Sequence, residues 1–307
     1  MPDPALLPDA LRRRLDSLIL TPRQLRMGSM KGERRSVKRG TSIEFADYRD
    51  YVPGDDLRKL DWNVYARLDR PVIKLLEDEE DLAVTCLIDT SASMNWPLET
   101  PSPSNGEDGG GVQHKLTYAL QLAAALGYVA LRGHDRLALT ALGGAAQPYG
   151  PTRGQAQIVP LLRYLHSLQG AGPTDLNATL RSFALRERRA GLVFVITDLF
   201  SPTGYVEGLN MLRAKGHEIV LLHVLCPDEI NPPHTGDLRL VDVETGQARE
   251  ITLDASLHSL YRQRLETWLD EVRDTCLKRQ IAYLMISTET PLDKVIFSDL
   301  RRLQLVK

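Results

Sequence analysis

Two uninterrupted apolar runs constrain this chain more than any other feature, and each ends on an aspartate. The first, Val84 to Ile88, runs into Asp89-Thr90-Ser91-Ala92-Ser93; the second, Leu192 to Ile196, runs into Thr197-Asp198. An unbroken β-rich apolar run reads as a central strand of a parallel sheet, buried on both faces. Open parallel sheets bind their ligands beyond the carboxyl ends of the strands. The sequence therefore puts one carboxylate and two hydroxyls, Asp89, Ser91 and Ser93, on a turn where such sheets bind things. Hard oxygen donors suit Mg2+, Mn2+ or Ca2+. The D-x-S-x-S spacing lets alternate side chains of a tight turn converge on one ion. The same residue types also cap helices, and Asp89, Ser91, Thr174 or Asp175 could serve only that. Caps, however, do not require an aspartate at the end of two separate buried strands.

Strand and helix patterns alternate through the rest of the chain. Strands are expected at 70–76, 136–142, 192–197, 218–225 and 282–287. Helices are expected at 8–20, 113–132, 155–168, 176–188, 205–215, 256–280 and 293–303. Such alternation means an α/β fold with a doubly wound, mainly parallel sheet. Residues 238–253 alternate about Glu244-Thr245-Gly246 and read as a β-hairpin excursion, an insertion at about 237–253. Residues 97–111, rich in Pro, Gly and Ser, read as a flexible loop beside the D-x-S-x-S turn. The division expected is a smaller N-terminal subdomain, 1–78, and a main domain, 79–307.

Composition narrows the setting. At 307 residues, 43% hydrophobic and 25% charged, the chain has an ordinary globular composition. Its net charge of −2 gives no global field for nucleic acid or membrane. No apolar run reaches the ~20 residues that span a bilayer, and the N-terminus lacks the pattern of a secretory signal. Three cysteines, an odd count without C-x-x-C, point to a reducing, cytoplasmic setting. The segment Arg12–Arg39 is strongly basic and can be read as a nucleic-acid or lipid arm. It can equally be a solvated face, or pair with acid such as the run 77–81.

The string Asp89-Thr90-Ser91-Ala92-Ser93 resembles the opening of the metal-ion-dependent adhesion site of von Willebrand factor A-like domains. Gly172-Pro173-Thr174-Asp175 resembles that family's threonine loop, and Leu192–Asp198 its second strand with a terminal aspartate. The resemblance implies Asp89, Ser91, Ser93 and Thr174 as ligands of a divalent cation, Mg2+ before Mn2+ or Ca2+, with Asp198 holding a bound water or binding the ion directly. It implies a von Willebrand A, Rossmann-like fold. It also implies a protein partner that offers an Asp or Glu to the ion.

A second resemblance is carried by Arg49, Tyr51, Pro53, Gly54, Asp55, Arg58, Asp61, Trp62, Ala66 and Arg67. Their pattern, R-x-Y-x-P-G-D-x-x-R-x-L-D-W-x-x-x-A-R, looks like the signature of domain-of-unknown-function family 58. Many members of that family are linked to MoxR-type AAA+ ATPases. As structure, the pairs Asp55–Arg58 and Asp61–Arg67 would stitch an N-terminal subdomain onto the sheet, with Trp62 and Tyr65 out of solvent. As function, Arg49, Tyr51, Asp55, Arg58, Asp61, Trp62 and Arg67 would form a partner-docking face.

Several chemistries lack their parts. There is no G-x-x-x-x-G-K-[ST] phosphate loop, no G-x-S-x-G elbow and no H-E-x-x-H. A D-x-D phosphatase would need an acid where Ser91 stands. The expectation is a non-enzymatic, metal-dependent protein-binding module, an adaptor or co-chaperone of a MoxR-type ATPase in complex maturation or remodelling. The alternative is a metal-dependent hydrolase or phosphatase using the same site. No membrane span is expected, and no nucleic-acid partner.

Overall fold

The computed structural model describes residues 6–23, 43–52, 55, 60–78, 82–97, 114–144, 146–243 and 246–307. The chain divides into two compact units, residues 31–81 and the remainder, 1–30 with 82–307. The N-terminal subdomain expected over 1–78 is thus smaller than its range. The reason is burial: Leu6, Leu7, Leu11, Leu15, Leu18 and Leu20 lie in the core of the larger unit. Leu11 and Leu15 come from the short helix α1, Asp9–Leu15. Residues Ile19 and Thr21 then pair in backbone hydrogen bonds with Lys307 and Leu305.

The smaller unit is an antiparallel pair, β1 (Ile43–Asp50) and β2 (Val72–Asp78), joined through helix α2 (Trp62–Leu68). Asp61 starts α2 by accepting from the backbone N–H groups of Asn63 (3.0 Å) and Val64 (3.3 Å).

The larger unit is built on a six-stranded sheet. Its strands are β3 (Ala83–Asp89), β4 (Arg136–Leu142), β5 (Tyr149–Arg153), β6 (Leu192–Thr197), β7 (Glu218–Leu225) and, after a hairpin, β10 (Ala282–Ser287). The spatial order is β10-β7-β6-β3-β4-β5. All neighbours are parallel except β5, which runs against β4 at the edge. Every residue of β6 and β7 is buried, as two-faced coverage requires.

Two helical layers supply that coverage. One face carries α3 (Lys115–Arg132) and α4 (Ile158–Ser167) against Val84, Cys86, Ile88, Phe194 and Val220. The other carries α5 (Leu176–Arg186), α6 (Val206–Ala214) and one stripe of α7 (Ala255–Lys278) against Leu87, Val193, Val195 and Leu221. The expected doubly wound arrangement is therefore present. The hairpin, β8 (Gly236–Val241) paired with β9 (Ala248–Leu253), forms a separate two-stranded sheet, as its alternation indicates.

Several elements differ from expectation: β1 and α2 were not foreseen, the helix expected over 8–20 is Asp9–Leu15, and the strand expected over 70–76 is Val72–Asp78. The edge strand β5 was not foreseen, because Tyr149-Gly-Pro-Thr-Arg has neither alternation nor an apolar run. An edge position tolerates the missing N–H of Pro151. The single helix expected over 293–303 is instead Leu292–Lys294, a π turn at Val295–Asp299 and Leu300–Arg302. The wider turn accompanies the burial of Val295, Ile296 and Leu300 together.

Candidate functional site

Strands β3 and β6 are neighbours, yet the chain leaves β3 for β4 on one side and β6 for β7 on the other. A crevice opens at the carboxyl ends of such a pair, where the order of strands reverses. Asp89 is the last residue of β3, and Asp198 directly follows β6. Both are almost fully buried, at 2% and 1% exposure.

Asp89 is held at both oxygens. Its Oδ1 accepts from the backbone N–H of Ser91 (3.0 Å), and its Oδ2 accepts from the Thr197 hydroxyl (2.6 Å). Burial, then the nearby negative charge of Asp198, pushes the Asp89 carboxyl up to about 6, against the hydrogen bonds from Thr197 and Ser91 that lower it.

The turn after β3 brings the Ser91 and Ser93 hydroxyl oxygens to 2.9 Å of each other. Ser91 is buried and Ser93 half-buried. The threonine loop docks on this same turn: Ala171 donates its N–H to the Thr90 carbonyl, and Ala92 donates to that of Gly172. Thr174 is buried and donates its hydroxyl to the Leu142 carbonyl at the end of β4 (3.0 Å). Thr90 donates to Gly143 (3.3 Å), one residue further on. Gly143 has φ +116, and a Cβ there would lie 2.6 Å from Thr174 Oγ1. Only glycine lets the two loops approach this closely.

The five residues singled out from the sequence therefore come from three segments that pack together at the carboxyl ends of the central strands. Their donor chemistry fits a hard divalent cation: two carboxylates and three hydroxyls, each oxygen with more acceptor sites than its present bonds use. Among the described residues there is no group of three or more His, Cys, Asp or Glu placed to hold a metal ion. The set differs from such a group in resting mainly on hydroxyls.

Sequence reasoning missed two charged residues here. Lys115, the first residue of α3, is completely buried and donates from Nζ to Asp198 Oδ2 (2.8 Å) and Glu229 Oε1 (2.5 Å). Burial works to lower the lysine, but the charges of Asp198 and Glu229 outweigh it and hold the ammonium above its ordinary value. Glu229 follows β7 in the short helix Pro227–Ile230 and also accepts from the Cys226 N–H (2.8 Å). It stands four residues past Leu225, the end of β7, so no strand-end pattern marks it. The Lys115 ammonium also lies 5.0 Å above the Phe200 ring. His223, on β7, contacts the backbone carbonyl of Asp198 (3.1 Å) and the Tyr283 hydroxyl (2.9 Å). Burial pushes it down to about 4, so it is neutral near pH 7.

The second group of expected residues lies in the smaller unit. Arg49 grips Asp55 with two parallel hydrogen bonds, both 2.8 Å, and Asp55 also accepts from the Val52 N–H (2.9 Å). Asp61 is the helix cap described above, and Tyr51 is tied by its N–H to the Pro71 carbonyl. Arg67 stands in the last turn of α2. Arg58, with Pro53 and Gly54, lies outside the described residues, as do most of the Arg12–Arg39 segment and 98–113. Trp62 and Tyr65, weighed from the sequence as groups removed from solvent, are 60% and 39% exposed, edge to face with centroids 6.2 Å apart.

Residues 47–268 match the family described as protein of unknown function DUF58. The chain belongs to the DUF58 family. The match takes in the R-x-Y-x-P-G-D motif, both strand-end aspartates, the threonine loop, Lys115 and Glu229. Uncharacterised proteins of Mycobacterium tuberculosis (Rv1480) and Mycobacterium bovis (Mb1516) are 29% identical over 247 residues, 79% of this chain and 74% of theirs. An uncharacterised Mycobacterium avium protein, MAV169, is 36% identical over 83 residues, 27% of this chain and 48% of its own. Among solved structures, the conserved hypothetical protein BatB of Bacteroides thetaiotaomicron is 15% identical with a TM-score of 0.40. It covers 73% of this chain and 98% of its own. An aerotolerance-related membrane protein of Bacteroides fragilis gives 16% and 0.39, over 72% and 99%. Likenesses that distant carry no argument. Among the described residues, no helix is long and apolar enough to cross a membrane.

Proposed function

We propose that this DUF58 protein is a metal-dependent protein-binding module of von Willebrand A type, acting by adhesion and not by catalysis. The observation that carries the reading is the placement of Asp89 and Asp198 at the carboxyl ends of adjacent central strands, with the D-x-S-x-S turn and Thr174 beside them. Asp89, Ser91, Ser93 and Thr174 would hold a divalent cation, Mg2+ first, with Asp198 behind them or as a direct ligand. The bound ion would supply an electrophilic position for a carboxylate on a partner protein.

The protein's own residues prepare that position. The Thr197 hydroxyl and the Ser91 N–H fix the Asp89 carboxylate in one orientation before any ligand arrives. The Leu142 carbonyl takes the Thr174 hydroxyl proton and so orients the oxygen's two lone pairs, which stay available. Hydroxyl donors add no negative charge, so an incoming carboxylate is not repelled as it would be by further aspartates.

The partner proposed, from the family resemblance, is a MoxR-type AAA+ ATPase, with the pair remodelling or maturing a third protein in the cytoplasm. The test is co-purification of the tagged protein with the MoxR-type ATPase of the same genome, in Mg2+ and in EDTA, for wild type and Asp89→Ala. The expected result is retention only by wild type in Mg2+, with Asp89→Ala still giving a native melting transition. Equal retention in EDTA would refute the reading.

A further inference from the structure

The Lys115 ammonium is buried beside the candidate cation site and is absorbed by no part of the reading above. Its side chain and that of Asp198 are each 1% exposed, and that of Glu229 17%. Asp89, at the end of the adjacent strand, is tied to the residue before Asp198 by the Thr197 hydroxyl. Lys115 therefore pairs with the acids that follow β6 and β7, and not with the acid that ends β3.

We infer that Lys115 is a built-in counter-ion of the site: it neutralises the Asp198–Glu229 side of the crevice, and so holds cation affinity down while keeping a bound ion electrophilic. The inference rests on the metal-binding reading of Asp89, Ser91, Ser93 and Thr174.

The geometry supports a role of charge and not of packing alone. A buried lysine is retained in a fold only with carboxylate partners. Lys115 has two, from segments that follow different strands, β6 and β7. Its main-chain N–H is also fixed, to the Trp96 carbonyl (2.9 Å), so the head group cannot swing away with the end of the helix. With the ammonium on Asp198 Oδ2 and the Phe200 N–H on Oδ1 (3.1 Å), that carboxylate is drawn away from sole service to a cation. Removing the ammonium adds one uncompensated negative charge near the ion. Removing the Glu229 charge has the opposite sign.

The experiment is titration of Mg2+ alone into the full-length protein by calorimetry, for wild type, Lys115→Met and Glu229→Gln, with melting temperature followed with and without Mg2+. Lys115→Met should bind Mg2+ tighter by roughly tenfold or more, since one unit charge at these separations in a partly buried site is worth at least that. It should also melt lower than wild type in EDTA and regain the difference in Mg2+. Glu229→Gln should bind Mg2+ more weakly than wild type. Should Lys115→Met not fold, the direction of change in Glu229→Gln decides. Wild-type binding with Lys115→Met equal or weaker, or Glu229→Gln equal or tighter, overturns the counter-ion role and leaves the metal site standing. Absence of Mg2+ binding in all three overturns both. Binding by Lys115→Met alone supports the counter-ion role and overturns metal dependence of the wild-type protein.

Discussion

Gly143 has no side chain, yet it decides where the Thr174 hydroxyl lies. An alanine there meets Thr174 Oγ1 at 2.6 Å and Thr90 Oγ1 at 3.4 Å, in a backbone conformation that L-residues rarely adopt. Gly143→Ala should cost about 1–3 kcal/mol in urea denaturation, the usual scale of such strain. It should also weaken Mg2+ binding, because Thr174 must move. A variant as stable and as tightly binding as wild type would show that the two loops do not depend on their close approach. At this scale, residues whose identity and strand position both carried information were legible. Asp89, Ser91 and Ser93 were named because strand ends are where sheets bind, whereas Thr174 and Asp198 were named through the resemblance to the adhesion site. Lys115 and Glu229 were not, because a lysine is assigned to solvent by default. Their pairing, moreover, spans 114 residues of sequence, which no local pattern records.

Helix α5 begins at the threonine loop, and its cap ties the two together. Asp175 accepts from the Ala178 N–H (2.8 Å) and the Thr203 hydroxyl (2.8 Å), and these bonds hold its carboxyl below the usual aspartate range. Asp175→Ala should destabilise the fold by about 1 kcal/mol, the typical worth of an N-cap. It should change Mg2+ affinity less than Asp89→Ala does. Chemical denaturation with parallel calorimetry checks both, and a loss of metal binding equal to that of Asp89→Ala would make Asp175 part of the site. Among elements, the parallel strands were the most legible: 136–142, 192–197, 218–225 and 282–287 have the bounds expected, because each is a mainly apolar run of strand length. The edge strand β5 carries no such run. The π turn at Val295–Asp299 is set by what the core must take in and not by local periodicity.

Over the whole chain, the doubly wound order was legible from alternation, while the placement of the first 30 residues was not. A short helix bearing Arg12, Arg13 and Arg14 opposite a leucine face reads as a solvated face or as a basic arm, and neither reading says which unit it joins. In the fold its leucines enter the main core, Arg14 pairs with Asp293 and stacks 4.4 Å above the Phe297 ring, and Asp16 accepts from the Tyr128 hydroxyl (2.6 Å). The central claim also belongs to this scale. On the proposed reading, the segments that follow β3 and β6, more than a hundred residues apart, and the threonine loop between them share a cation at the carboxyl ends of those strands. The most direct measurement is anomalous diffraction at the manganese edge from crystals of the full-length protein grown in Mn2+. A single strong peak bounded by Asp89, Ser91, Ser93 and Thr174 is the predicted result. No peak there, or a peak elsewhere with that site empty, would contradict the account.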